Sequence, residues 1–568
     1  MYLRVTKRKN RDGSVVTYLQ LAENVWDSER GCAVAKIVHN FGRADRVETD
    51  ALRRLARSIL RVVDGDAEAG ILAEADKPSS VRIHDTRPYG PVWVLEQLWK
   101  ELGIDQILRR RARSKRTSAT FERALFAMVA NRACCPYSKL YCWEQWLREE
   151  VFLPGAQDLQ LHHLYLAMDF LEEHKAELEK AIYFEMADLM KADVDVIFYD
   201  TTSLHFEVDE EDELDGERFG RTYEPLRKRG HSKNGRGDAP QIVVGLAVTR
   251  DGLPVRSWVF TGQTADVTTV ERVKEDLRGW RLGRCVFVGD AGMNSEDNRR
   301  SLGLGNGKYI LAARMRAGDQ VTKVVMARQG RYRKVRDNLR VKEVVVGDGA
   351  RQQRYVVCHN PDEERRQRRH RAKLIEQLEA ELVSLEQQRG RPHSKRACEL
   401  LSSARFGRYL RKTQGGLLRL SRTAIKEAER YDGKWVITSN DDTLTAEDMA
   451  LGYKQLMRVE ACWRQLKSGL KMRPVFHWRP WRIQAHVSIT VLALLLERVA
   501  EIRARDTWRN LCKQLETIKV VDYEHAGARV QQTSEVRPEV AALLKQLGVK
   551  APPRLHSLAA SSSADAKS

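Results

Sequence analysis

The chain has 568 residues, with 98 Lys and Arg against 78 Asp and Glu and a formal net charge of +20. That length allows roughly three or four domains, and the cationic excess favours a polyanionic partner, nucleic acid before membrane. Nine scattered cysteines without a CxxC pair exclude a disulfide framework and a zinc ribbon, and the chain reads as intracellular: no apolar signal core opens it, and its longest apolar stretch, 487–496, is too short for a bilayer.

Residues 1–63 alternate in strand fashion about the turn signal Asp12-Gly13 and end in a short amphipathic helix, Leu52–Val62. Residues 64–90, with their Gly, Pro and Ser, read as a linker. Residues 91–190 are helical, with Leu95, Leu98 and Leu102 at helical spacing. Within them Arg109, Arg110, Arg111, Arg113, Lys115 and Arg116 form a dense basic run between helices, which either contacts DNA phosphates or is a solvated loop.

At about residue 191 the composition changes. Residues 194–200 have a buried-strand pattern that ends on Asp200. An acidic stretch, 207–217, and a basic Gly-rich one, 227–237, precede a strand pair at 242–249 and 255–260, joined at Asp251-Gly252. Residues 284–290 form another strand ending on Asp290; a helix starts at Ser295, and 309–313 is a further strand. The block 315–430 opens β-rich and continues in a charged helix, 363–388, with Leu374, Leu378, Leu382 and Leu385 on one stripe, half of a helical hairpin. The block 431–505 holds a strand at 435–438 and helices over 446–470 and 482–503. Residues 506–568 read as a helical region with a disordered, Pro- and Ser-rich tail from Ala551.

Asp200 and Asp290 each close an apolar strand, where ligand groups converge in α/β sheets. Glu460 is the single carboxylate among eight Lys and Arg residues between Tyr453 and Arg482. Strand, hairpin, strand, helix and a last acid on a helix is the order of a ribonuclease-H-like core, and the gap before Glu460 is too long for a loop, so it holds an inserted domain. Three converging carboxylates repel one another unless a cation is present; their oxygens suit Mg²⁺ or Mn²⁺, and two such ions can drive phosphodiester displacement. The bland reading is three unrelated acids, with Glu460 paired to Arg464 on a solvated face. Tyr453, Glu460 and Lys467 are spaced by seven and share one helical face.

With these residues the chain resembles the DDE transposases of bacterial insertion sequences, in the cut-and-paste branch marked by a Tyr-Arg-Glu-Lys signature. Tyr453, Glu460 and Lys467 fall on the signature, while Leu456 stands at the Arg position, with Arg458 or Lys454 as substitutes. Phe198 to Ser203, Gly230 to Lys233, Val288 to Gly292, Leu466 to Ser468 and Arg473 to His477 also fit the family, and Asn131-Arg132 to Leu140 does so more loosely. The resemblance implies a multi-domain α/β protein. Its ribonuclease-H-like core would carry a large mixed β and helical insertion between the second Asp and the Glu. A small β segment and a helical DNA-end-binding region would precede that core.

It further implies binding of terminal inverted repeats, cleavage with two Mg²⁺ ions (Mn²⁺ substituting), and joining of 3′-hydroxyls to target DNA. A dimer or larger synaptic assembly would act in the bacterial cytoplasm, at the nucleoid. By residue, Asp200, Asp290 and Glu460 hold metal, Tyr453 and Lys467 position the DNA backbone, and Arg458, Arg464, Lys471 and Arg473 are further phosphate contacts. Trp435 is either a base-stacking aromatic or a buried strand residue, Trp478 and Trp481 either stack on DNA or pack, and His486 reads as a structural histidine rather than a ligand. Two other readings share the same residues: a metal-dependent DNA nuclease, and a catalytically silent DNA-end-binding protein.

Overall fold

The computed structural model describes residues 1–9, 15–27, 31–45, 47, 81–114, 120–189, 196–233, 235–278, 280, 286–315, 324–349, 352–387, 390–414, 416–525 and 528–560. The helix expected at 52–62 and most of the expected linker lie outside these residues. The chain divides into two compact units, the smaller comprising 1–85, 522–531 and 555–568. In it β1 (Tyr2–Lys9), β2 (Val15–Asp27) and β3 (Cys32–Arg43) form an antiparallel meander. The end of the expected linker is instead a strand, β4 (Val81–Pro88).

The larger unit opens with α1 (Gly90–Glu101), α2 (Ile104–Ser114), α3 (Thr120–Cys134), α4 (Leu161–Glu173) and α5 (Lys175–Leu189). Leu95, Leu98, Trp99, Leu125, Phe126 and Met168 are buried in the same continuous core as the central sheet. The helical region 91–190 therefore shares the hydrophobic core of the larger unit.

The central sheet begins with β5 (Val196–His205). A small hairpin follows, β6 (Gly216–Arg218) and β7 (Arg221–Tyr223). The acidic stretch folds back on the basic one, with Arg227 Nε donating to Asp212 Oδ1 at 2.8 Å. Then come β8 (Gln241–Val248), β9 (Pro254–Thr261), α6 (Asp266–Arg278), β10 (Val286–Gly289), α7 (Glu296–Gly303) and β11 (Lys308–Ala313). The order β9-β8-β5-β10-β11 sets an antiparallel hairpin beside two parallel crossovers. This is the strand arrangement expected of a ribonuclease-H-like core.

The sheet continues past β11. Strands β12 (Arg333–Arg336), β13 (Leu339–Val346) and β14 (Gln353–His359) extend it through a later strand to nine in all. The β part of the expected insertion is thus an extension of the central sheet. Its physical reason is β14, whose Tyr355, Val356, Val357 and Cys358 are buried on both faces and need neighbours on each side.

The helical part does form its own small core. Helix α8 (Pro361–Glu386) starts at Asn360, whose side chain accepts from the backbone N–H groups of Asp362 and Glu363, with Pro361 at the first turn. With α9 (Gly390–Ser402), the short strands β15 (Leu410–Lys412) and β16 (Leu418–Leu420), and α10 (Arg422–Glu429), it buries Leu374, Leu378, Leu385, Leu400 and Tyr409. Arg371 and Asp432, both buried, close this unit with two hydrogen bonds of 2.6 and 2.5 Å.

Strand β17 (Lys434–Ser439) returns the chain to the sheet, between β14 and β11. The single helix expected over 446–470 is three pieces: α11 (Ala446–Lys454), α12 (Met457–Arg464) and a π-helical turn, Gln465–Gly469. The break comes where Leu456 sinks into the core, its N–H bonding back only three residues to the Tyr453 carbonyl. Tyr453 and Glu460 therefore do not share one regular helix. Helix α13 (Pro480–Ala504) is by length and composition long and apolar enough to cross a membrane, but 78% of its most apolar window is buried within the protein, as in a core helix.

After α13 come α14 (Trp508–Leu515), β18 (Lys519–His525), β19 (Ala528–Thr533), α15 (Pro538–Leu547) and β20 (Leu555–Ala560). The sheet order β20-β19-β18-β4 explains the strand found in the expected linker. The C-terminal region is thus mixed rather than helical, and residues 551–560 are ordered, with Thr533 Oγ1 donating to the Pro553 carbonyl at 2.7 Å.

Candidate active site

Strand alternation turns Phe198 and Asp200 to one face of β5 and Tyr199 to the other. The parallel register of β5 and β10 ends at Phe198↔Val288; Asp200 lies two residues further along β5 and Asp290 directly follows β10, so both acids stand at the same end of adjacent strands. Asp200 Oδ1 accepts from the Thr201 N–H at 2.7 Å. The chain turns sharply after β10, and Asp290 Oδ1 accepts from the N–H groups of Gly292 at 2.9 Å and Met293 at 3.2 Å. Behind them the Tyr199 ring lies on Gly245, where a Cβ would stand 2.6 Å from the phenol oxygen. The Tyr199 hydroxyl donates to Thr269 at 3.0 Å, tying β5 to α6.

Helix α6 brings a fourth acid. Thr201 Oγ1 donates to Asp266 Oδ1 at 2.5 Å, and the Lys233 ammonium stands 2.8 Å from Asp266 Oδ2 and 3.9 Å from Asp200 Oδ1. A Cβ on Gly292 would lie 3.2 Å from Asp290 Oδ1 and 3.4 Å from Asp266 Oδ2, so the bare glycine leaves the space between two carboxylates open. Burial pushes the Asp200 carboxyl up to about 6; Asp290 and Asp266 add to the rise, while Lys233 and the Thr201 N–H oppose it.

These features fit a divalent cation: the donors are hard carboxylate oxygens, and an ammonium already stands among them as a cationic substitute. Among the described residues, no three Asp, Glu, His or Cys side chains stand close enough to hold one ion as they are.

The raised Asp200 value gives a testable sign. Its folded pKa lies above the ordinary 3.8, so the fold is penalised as pH rises from about 4 through about 6 and the buried carboxylate ionises. A bound cation relieves that penalty. Mg²⁺ is expected to raise the melting temperature at pH 7.5 and to have little effect at pH 5, a difference that Asp200→Asn removes in thermal scans.

Glu460 lies on α12, which packs on β5 and β8. The helix is pinned from below: Cys462 Sγ contacts the Gly252 carbonyl at 3.4 Å, and Arg498 donates to the Asp251 carbonyl at 2.8 Å. Glu460 itself is exposed and makes no side-chain hydrogen bond or ion pair among the described residues, so the pairing with Arg464 does not form. What joins it to the other two acids is Tyr453. Burial raises that phenol's pKa, and the charges of Asp290, Glu460 and Asp200 raise it further. Lys467, in the π turn, is lowered by burial and by Arg473, and is held up by Asp200.

The next turn is built from residues of α3 and the segment after it. Arg132, buried, donates to the carbonyls of Lys471 at 3.1 Å and Tyr137 at 3.1 Å. Lys139 Nζ lies 3.1 Å from His486 Nδ1, whose other nitrogen donates to the Met472 carbonyl at 3.0 Å. His486 is thus structural.

Residues 205–496, more than half of the chain, match the transposase DDE domain. The chain belongs to the DDE transposase family. It is a DNA transposase with a ribonuclease-H-like α/β catalytic fold, and enzymes of this family use divalent metal ions. Residues 3–69 match the N-terminal domain of IS1634 family transposases. Asp290 and Glu460 fall within the DDE match, and Asp200 lies just before it. No curated protein matches. Among solved structures, the cryo-EM structure of a piggyBac transposase synaptic complex with hairpin DNA is similar over 70% of each chain, at 9% identity and a TM-score of 0.34.

The remaining candidates of this transposase separate clearly. Arg458, Arg464 and Lys471 are exposed, Lys471 with its ammonium 5.0 Å over the Tyr137 ring. Arg473 contacts His205 at 3.1 Å. The basic run lies partly in α2 rather than in a loop: Arg109 is bound to buried Glu122 at 2.9 Å, Arg111 pairs with Glu177 at 2.8 Å, and Arg110 is exposed. The side chain of Arg113, and Lys115 and Arg116, lie outside the described residues. Trp435 sits in strand β17, and Arg479 lies over both Trp478, which is exposed, and Trp481, which is buried.

Leu456 is only 7% exposed, so restoring the family signature with Leu456→Arg buries a guanidinium. That change is expected to lower stability by at least about 3 kcal/mol without raising activity, as read by denaturant unfolding.

Sequence reasoning missed Asp266. An acid opening a helix ordinarily reads as a favourable N-terminal charge, and only the fold turns it onto Lys233 and Thr201.

Proposed function

We propose that this transposase binds double-stranded DNA at the terminal inverted repeats of its insertion sequence, cleaves the ends and joins the freed 3′-hydroxyls to target DNA. The reading is carried by Asp200 and Asp290, at the same end of the adjacent strands β5 and β10, with the Glu460 helix packed on β5. Asp200, Asp290 and Glu460 hold divalent metal, two Mg²⁺ ions for which Mn²⁺ can substitute. When bound, such ions activate the attacking oxygen and stabilise the leaving one at phosphorus.

The chain's own residues do the rest. The two backbone N–H groups on Asp290 Oδ1 fix that carboxylate and leave its other oxygen for a ligand. Lys467 acts as a point charge on a DNA phosphate beside Asp200. Tyr453, set among the three acids, positions the strand, and Arg458, Arg464, Lys471 and Arg473 extend a cationic track along it. The family's insertion corresponds to 315–430, split between the added sheet strands and the helical unit. Two DNA ends require a dimer or larger assembly, acting in the bacterial cytoplasm at the nucleoid.

Incubation with the DNA flanking its own gene and Mg²⁺ tests this reading. Joined products are expected. Nicks without joining would reduce the protein to a nuclease, and retention without cleavage to an end-binding protein.

A further inference from the structure

The acid on α6 is not one of the three that the transposase signature supplies, yet it makes the shortest hydrogen bond in the site. Asp266 Oδ2 holds the Lys233 ammonium at 2.8 Å, while Asp200 Oδ1 is 3.9 Å from the same nitrogen. Its other oxygen accepts from Thr201 Oγ1 at 2.5 Å. Lys233 also donates to Thr201 at both the carbonyl, 2.9 Å, and the hydroxyl oxygen, 2.7 Å. Asp266 is itself braced, because the adjoining turn of α6 is tied to β5 through Thr269 and Tyr199. A flexible ammonium is thus held beside Asp200 without lying on it.

We propose that Asp266 is a positioning residue that keeps Lys233 off the Asp200 carboxylate and so preserves Asp200 as a metal ligand. Lys233 neutralises the acids before a divalent cation arrives. With Asp266 uncharged, the nearest counter-charge for the ammonium is Asp200, and the lysine takes the cation's place. Coulomb attraction at such separations is several times stronger in a half-buried site than in water, which makes the choice of partner decisive. Thr201 serves as the hinge, since it contacts Lys233, Asp266 and, through its N–H, Asp200.

This inference rests on the proposed metal centre, and the two can fail separately. The probe is Mn²⁺ binding to the full chain without DNA, followed by the electron paramagnetic resonance of free Mn²⁺. Asp266→Asn is expected to weaken binding about 10- to 100-fold, the range seen when outer partners of metal ligands are removed. Lys233→Met in the Asp266→Asn background is expected to restore it, and Asp266→Glu, which keeps the charge, to preserve it. Unchanged binding in Asp266→Asn overturns the inference, as does a defect that Lys233→Met leaves in place, which would make Asp266 a direct ligand. If Asp200→Asn binds Mn²⁺ as well as the unaltered chain, the metal centre itself is wrong.

Discussion

Glu460→Gln is expected to reduce DNA strand cleavage by roughly 10³-fold or more, the loss of several kcal/mol of transition-state stabilisation, while binding of the element ends stays unchanged. The variant is informative because Glu460 is exposed and makes no side-chain hydrogen bond or ion pair among the described residues. Gln keeps the shape and the helix propensity, so little of the effect can come from folding. Asp290→Asn should lose as much activity, but its carboxylate also accepts two backbone N–H groups at the turn after β10. A modest drop in melting temperature is expected there and not at Glu460. Cleavage by Glu460→Gln at the parental rate, in a gel assay with Mg²⁺, would remove the third acid from the site.

The second large effect is structural. Asp432→Ala is expected to cost about 3 kcal/mol, since it leaves the buried Arg371 guanidinium with only the half-exposed Glu429 carboxylate, 3.8 Å away, as counter-charge. The loss should concentrate in the helical unit at 361–430, whose small core leaves little reserve. Limited proteolysis of that segment reports it directly. Replacing both partners with apolar residues, Arg371→Met with Asp432→Leu, should recover most of the stability, because no buried charge remains. A loss below about 1 kcal/mol for the single change would mean that water or a neighbour satisfies the arginine.

Much of the catalytic half could be read from the chain because its signals are local. Val196 to Asp200 and Val286 to Asp290 are apolar runs that stop at an acid, and Glu460 stands alone among cations. What escaped was long-range. Nothing within 81–88 shows that this strand pairs with a segment beginning at Lys519. The strands after residue 330 look like a domain of their own until β17 is seen between β14 and β11. The break at Leu456 was hidden by an even seven-residue spacing, which burial of one leucine overrides. Arg109 shows the reverse error, a cation taken for the surface that completes a buried Glu122.

The return of β17 to the sheet also sets a time order. Asp200 on β5 and Asp290 just after β10 are synthesised early, whereas α12 rests on a turn pinned by Arg498. A chain emerging from the ribosome therefore carries two acids of the proposed three for the whole passage from residue 290 to residue 460. It also lacks the arginine that braces the third until the translation of α13 is nearly complete. A chain that ends in that interval lacks Glu460 and is expected not to cleave DNA, which a cleavage assay on the truncated protein would check.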